Sequence, residues 1–134
     1  MKLSSLKIDS AKLEAGAWVK DLPGCGDLAV KVRSYESRAA RDARAKATSD
    51  ILFDRRKAGL SAADQDAVSA KVAAEALLID VKNFTDDDGV ELTVDQARAL
   101  LGDPDYAALL GAITWAASVM VEKGVAELAA DVGN

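Results

Sequence analysis

The stretch that decides the fold is residues 28–33, which read Leu-Ala-Val-Lys-Val-Arg. Leu28, Val30 and Val32 alternate with other residues, and an alternation of period two places them on one face of a β-strand. A turn with one Pro and two Gly precedes this stretch, and a second short apolar segment precedes the turn. We therefore predict a β-hairpin over residues 15–33. A hairpin alone is marginally stable, so its apolar face is expected to pack against later helices.

Two helices are predicted directly after the hairpin. Residues 35–57 contain no Gly or Pro and are rich in Ala, Arg and Lys, which favours one long basic helix. Ser61 followed three residues later by Asp64 has the pattern of a capping box. Apolar residues then recur at helical spacing, which predicts a second helix over residues 61–79.

The C-terminal part begins with a turn and continues as helix. Three Asp residues and a Gly at residues 86–89 predict a tight turn. Thr93 and Gln96 form another capping-box pattern, which opens a short helix to Leu101. Asp103-Pro104 supplies an N-cap and a first-turn proline for the final helix.

The length and composition suit one compact domain. The chain has 134 residues, of which 50% are hydrophobic. We predict a mainly helical α+β fold for residues 1–134, with the hairpin at 15–33, the basic helix at 35–57 and an acidic helical part at 61–134. The sequence has no His and a single Cys, which excludes His-dependent triads, His-ligated zinc sites and disulfides.

Charge is segregated along the chain. Residues 1–57 carry 13 Lys and Arg against 8 Asp and Glu, whereas residues 58–134 carry 4 against 14. The arginines of the basic helix are Arg38, Arg41, Arg44, Arg55 and Arg56. We expect them to engage an acidic surface, either within the chain or on a partner protein, because guanidinium groups pair carboxylates bidentately.

The final helix carries apolar residues on two faces. A core-facing stripe consists of Tyr106, Leu109, Leu110, Ile113, Ala117, Met120 and Val121. A second set, on nearly the opposite side, consists of Ala108, Ala112, Trp115 and Val119. Two interpretations of the second set are open: the hairpin and the basic helix cover it, or it binds another protein chain.

Metal, cofactor and nucleic-acid functions are disfavoured. An enzyme could hold Mg²⁺ on one group of carboxylates, but no base, nucleophile or phosphate-binding loop accompanies them. This group consists of Asp86, Asp87, Asp88 and Glu91, with Asp80 nearby in the sequence. With Gly89 at the sixth position of a calcium loop, the first ligand position would fall on Phe84, which has no carboxylate. A net charge of −5 and 4% aromatic residues argue against nucleic acid. We expect no catalytic residue, metal, cofactor, small-molecule substrate or membrane contact.

The segment from Ile79 to Ala117 combines several short motifs in a fixed order. These are the acidic lead-in at Asp80, the turn at Asp88-Gly89, Leu92-Thr93, the helix end at Leu100-Leu101, the break at Asp103-Pro104 and an Ala-rich helix. This order resembles the tail assembly chaperones of long-tailed bacteriophages. Residues 16–18 and 30–33 also resemble the N-terminal hairpin of such proteins.

The resemblance implies a non-enzymatic protein that binds the tape measure protein or a tail-tube protein and helps the tail tube assemble. It also implies a frameshifted longer product. Self-association is a separate expectation, because the second apolar set of the final helix is also suited to a copy of the same chain. Residues 1–12 lack the continuous apolar stretch of a signal peptide, so the host cytoplasm is the expected location. The alternatives are a virion structural tail or connector subunit and an acidic inhibitor protein.

Overall fold

A computed structural model describes residues 1–55 and 59–122. Its α-helices are α1 (Ser10–Ala15), α2 (Arg38–Arg55), α3 (Ala62–Val72), α4 (Val94–Leu100) and α5 (Ala107–Glu122). Its strands are β1 (Ala17–Val19), β2 (Ala29–Val32) and β3 (Leu78–Lys82). The predicted class, mainly helical α+β with an N-terminal hairpin, is confirmed.

The sheet is antiparallel, with β2 between β1 and β3. Ala17 pairs with Val32 and Val19 pairs with Val30, as expected for the predicted hairpin. Val30 and Val32 are fully buried and Leu28 is 5% exposed. The apolar face of β2 packs against α5, so the expectation that later helices cover the hairpin is correct.

The second helix is shorter than the sequence predicts. α3 ends at Val72, one wide π-helical turn follows up to Leu77, and β3 begins at Leu78. The predicted helix to residue 79 is therefore wrong at Leu78 and Ile79. These residues become extended because the open edge of β2 offers them backbone hydrogen bonds and a buried face.

The junction between β2 and β3 contains an irregularity. Lys31 pairs with Asp80, and the next residue, Val32, pairs with Leu78, so Ile79 is the extra residue on β3. A bulge of this kind bends a strand and redirects its side chains. Leu78 can therefore point into the core, where it is 2% exposed.

The basic helix begins later than predicted. α2 starts at Arg38 rather than residue 35, because Ser37 lies at its N-terminus and its hydroxyl accepts a hydrogen bond from the Ala40 amide at 3.2 Å. The predicted end at Lys57 lies outside the described residues.

The predicted helix caps of the C-terminal part are confirmed. Ser61 and Asp64 exchange two hydrogen bonds of 3.1 Å, and Thr93 and Gln96 form the second capping box. The Asp103 carboxylate accepts a hydrogen bond from the Asp105 amide at 2.9 Å and caps a single 3₁₀ turn that leads into α5. Together the caps position α4 and α5.

The segment directly after β2 connects three separate elements. The backbone amides of residues 33, 34 and 35 donate to the carbonyl oxygens of Leu77, Leu13 and Ala117 at 2.9, 3.1 and 3.2 Å. The Arg33 guanidinium adds bonds from Nε to the Glu14 carbonyl at 2.9 Å and from Nη1 to the Ala76 carbonyl at 3.2 Å. This segment therefore fixes α1, the π-helical turn and α5 relative to the sheet.

Gly16 lies so close to β3 that a side chain at this position would disturb the packing of the hairpin. Its φ is +91°, and a Cβ atom there would clash with Ile79 Cδ1 and lie 3.0 Å from the Val32 carbonyl oxygen. We expect Gly16→Ala to lower the free energy of unfolding in urea by about 1–3 kcal/mol. The control, Gly111→Ala, lies in α5 with open space around it and is expected to raise this free energy by about 0.5–1 kcal/mol. Equal effects of the two substitutions would contradict this packing.

Candidate functional site

α5 buries one broad face against the core. The buried members of the predicted core-facing stripe are Leu109, Ile113, Ala117 and Met120, and Leu110 is half-buried. Tyr106 is 45% exposed because it belongs to the 3₁₀ turn before α5, so its assignment to the stripe is wrong. The side chain of Val121 lies outside the described residues.

The second apolar set divides between core and surface. Ala112 and Val119 are each 7% exposed, whereas Trp115 is 39% exposed and Ala108 is exposed. Since each helical residue advances by about 100°, Ala112 and Val119 border the buried face and Trp115 lies beyond it. The chain itself therefore covers two of the four residues, and the available patch is narrower than the sequence suggests.

The exposed patch consists of Ala108, Gly111 and Trp115, and we call it the Trp115 surface. The three residues are spaced i, i+3 and i+7, so they lie along one line of α5. Because Ala108 and Gly111 are small, the Trp115 ring is accessible from the N-terminal side of α5. A half-exposed Trp is suited to anchoring an interface, because it supplies a large contact area with few rotatable bonds.

The arginines of α2 have different environments. Arg44 donates from Nη1 to the Tyr35 carbonyl at 2.9 Å, and its Cζ lies 4.1 Å from the centre of the Tyr35 ring. Arg38 and Arg41 are exposed. Arg44 is therefore held within the chain by a carbonyl and a ring rather than by the predicted acidic surface, while Arg38 and Arg41 are free to meet a partner. The side chains of Arg55 and Arg56 lie outside the described residues.

The Asp-rich turn uses a carboxylate to close itself. Asp86 Oδ1 accepts hydrogen bonds of 2.9 Å from the amides of Asp88 and Val90, and Thr85 pairs with Glu91 across the turn. Within the described ranges, no group of three or more His, Cys, Asp or Glu residues is placed to hold a metal ion. The predicted tight turn is confirmed.

Phe53 on α2 is 83% exposed, although no expectation from the sequence placed it on a binding surface. A signal was present, because Ile51, Leu52 and Phe53 are consecutive. Three consecutive residues of a helix span about 200° and cannot all face one core. One of them had to be exposed.

No protein-family model, curated protein or solved structure matches this chain. None of the helices in the described ranges is long and apolar enough to cross a bilayer.

Arg44 and Arg41 form a matched pair for a stability test. Arg44→Ala removes a carbonyl hydrogen bond and a cation–π contact, so we expect the free energy of unfolding to fall by about 1–2 kcal/mol. Arg41→Ala removes an exposed side chain, and its effect is expected to stay within about 0.5 kcal/mol. Urea denaturation measures both, and a larger effect for Arg41 would refute this division of roles.

The Asp-rich turn yields a second test. Because Asp86 already accepts two backbone hydrogen bonds, we expect the melting temperatures in EDTA and in added Ca²⁺ to coincide. Asp86→Ala should lower the melting temperature more than Asp87→Ala does, since it removes the carboxylate that closes the turn. A rise of several degrees with Ca²⁺ would show that the turn binds the ion.

Proposed function

We propose that the chain is a non-enzymatic tail assembly chaperone of a long-tailed bacteriophage. In this proposal it acts in the host cytoplasm, binds the tape measure protein and helps tail-tube subunits assemble around it. The identity of the client comes from the sequence resemblance. The observation that carries protein binding is the half-exposed Trp115 on an otherwise apolar helix.

The Trp115 surface is large enough to contribute to binding. The exposed 39% of a Trp side chain is roughly 100 Å², and its burial would contribute about 2–3 kcal/mol. An extended or helical client could lie along α5 past Gly111 and Ala108, whose small side chains allow close approach. The apolar character of the Trp115 surface favours an apolar client segment, as expected of a protein that protects aggregation-prone chains.

The segment that carries the resemblance also supports α5. Arg98 of α4 donates from Nη2 to the Leu78 carbonyl at 3.0 Å and pairs with Asp95 at 2.9 Å, which anchors α4 to β3. The Asp103 cap then starts the turn before α5. Arg98 and Asp103 thus fix α4 against β3 and start the turn that leads into α5.

Trp115 and Trp18 provide a matched pair of variants, since both are 39% exposed. Trp18 lies on β1, with the Lys82 ammonium 4.4 Å from its ring centre. We expect Trp115→Ala to weaken binding of the tape measure protein proposed as the client about ten-fold or more, and Trp18→Ala to leave this binding nearly unchanged. Co-expression solubility of the client and a titration with the purified client segment measure the effect.

Chemical denaturation of both variants separates binding from folding. If Trp115→Ala unfolds the chain and the folded fraction still binds normally, Trp115 is structural and the proposed surface is wrong. Purified virions give a further test, because a chaperone should be absent from them. Stoichiometric presence of the chain in virions would instead favour a structural tail or connector subunit.

A further inference from the structure

A groove runs along the exposed face of α2, on a different helix from Trp115. It is lined by Arg41, Ala45, Thr48, Ser49, Leu52 and Phe53, together with Arg44 at its wall. Phe53 is 83% exposed, more than any other aromatic side chain in the described part of the chain. A ring exposed to this degree offers apolar area that a partner would bury.

The shape of the groove suits a helix. Residues 41, 45, 48 and 52 follow the spacing i, i+4, i+7 and i+11, so they form one line along α2. The floor consists of the small side chains of Ala45, Thr48 and Ser49. Small residues at a contact allow two helix axes to approach to the short end of the usual range of about 8–10 Å.

The charge of the groove is positive at one end. Arg41 is exposed there, and Arg44 contacts the carbonyl oxygen and the ring of Tyr35. The N-terminal half of α2 also carries the positive end of the helix dipole. A neighbouring depression shares Arg41 with the groove, and it is also lined by Arg38, Glu14 and Asp42, so two carboxylates lie near this end. The lining of the groove itself contains two arginines and no carboxylate, which makes it cationic near Arg41 and apolar near Phe53.

We propose that this groove binds an acidic amphipathic helix of a partner protein, with carboxylates beside Arg41 and an apolar side chain against Phe53. A second copy that presented the same face would bring two arginine-rich helices together, so charge favours an acidic partner. The inference does not depend on the proposed function, because it uses another helix and requires no particular client.

The test uses a fluorescein-labelled helical peptide of about 20 residues, enough for five turns. Its apolar residues are Leu and Phe at i, i+3, i+4 and i+7 spacing, and its flanks carry Glu; the control peptide has Lys in place of each Glu. Fluorescence anisotropy measures the Kd with the full chain. We expect the acidic peptide to bind and the basic peptide not to bind, and binding to weaken as salt is raised.

Four variants locate the binding site. The control for Arg41→Glu is Lys71→Glu, which makes the same charge change at an exposed residue of α3. The control for Phe53→Ser is Val90→Ser, which also replaces an exposed apolar side chain, since Val90 is 61% exposed. We expect Arg41→Glu and Phe53→Ser each to raise the Kd about five- to ten-fold, and each control to change it less than about two-fold. All four residues are exposed, so circular dichroism and urea melts should show that the variants fold normally.

Several outcomes would overturn the inference. Equal Kd values for the acidic and basic peptides would show that charge has no role in binding. An equal rise of the Kd in the control variants would place the binding site outside the groove. The chain could also be found to self-associate. If Phe53→Ser abolished this self-association and the acidic peptide did not displace it, the occupant of the groove would be a second copy of the chain. Trp115→Ala should leave the Kd of the acidic peptide unchanged. A failure of the groove proposal can therefore be told apart from a failure of the proposed chaperone function.

Discussion

The fold depends on the backbone of residues 33–35. Three consecutive amides there donate to carbonyl oxygens of three different elements, and the Arg33 side chain adds two further carbonyl contacts. Buried amides need such partners, because an unpaired one loses about 1–3 kcal/mol. Ser34 is fully buried, so this junction cannot shift without breaking bonds to α1, the π-helical turn and α5 together. The small sheet and the helices consequently form one unit.

Local signals in the sequence predicted the local structure. The alternation around Val30 predicted the hairpin, and the two capping boxes predicted the starts of α3 and α4, because each of these features is decided within a few residues. β3 was missed because the helical spacing of Val68, Val72 and Ala76 continues to Ile79. Only the open edge of β2, formed more than 40 residues earlier in the chain, makes this segment extended, and no local pattern contains that information.

The candidate surfaces were only partly predicted, again because a local pattern does not show which side chains other elements cover. Periodicity found both apolar faces of α5, but it could not show that Ala112 and Val119 lie at the border of the core while Trp115 lies outside it. Composition found the arginines of α2, but not that Tyr35 holds Arg44 and leaves Arg41 exposed. The assignment of each side chain to core or surface depends on how the helices pack, which single-element patterns do not determine.

The central position of β2 has a consequence for how the chain is synthesised. Val30 pairs with Val81, so the ribosome releases the complete hairpin long before its third strand. Until residue 82 emerges, one edge of β2 is uncovered, and its valine face stays uncovered until α5 follows. Closing this long loop is slow compared with hairpin formation. Nascent chains that end before β3 therefore present the kind of open apolar edge from which intermolecular strand pairing begins.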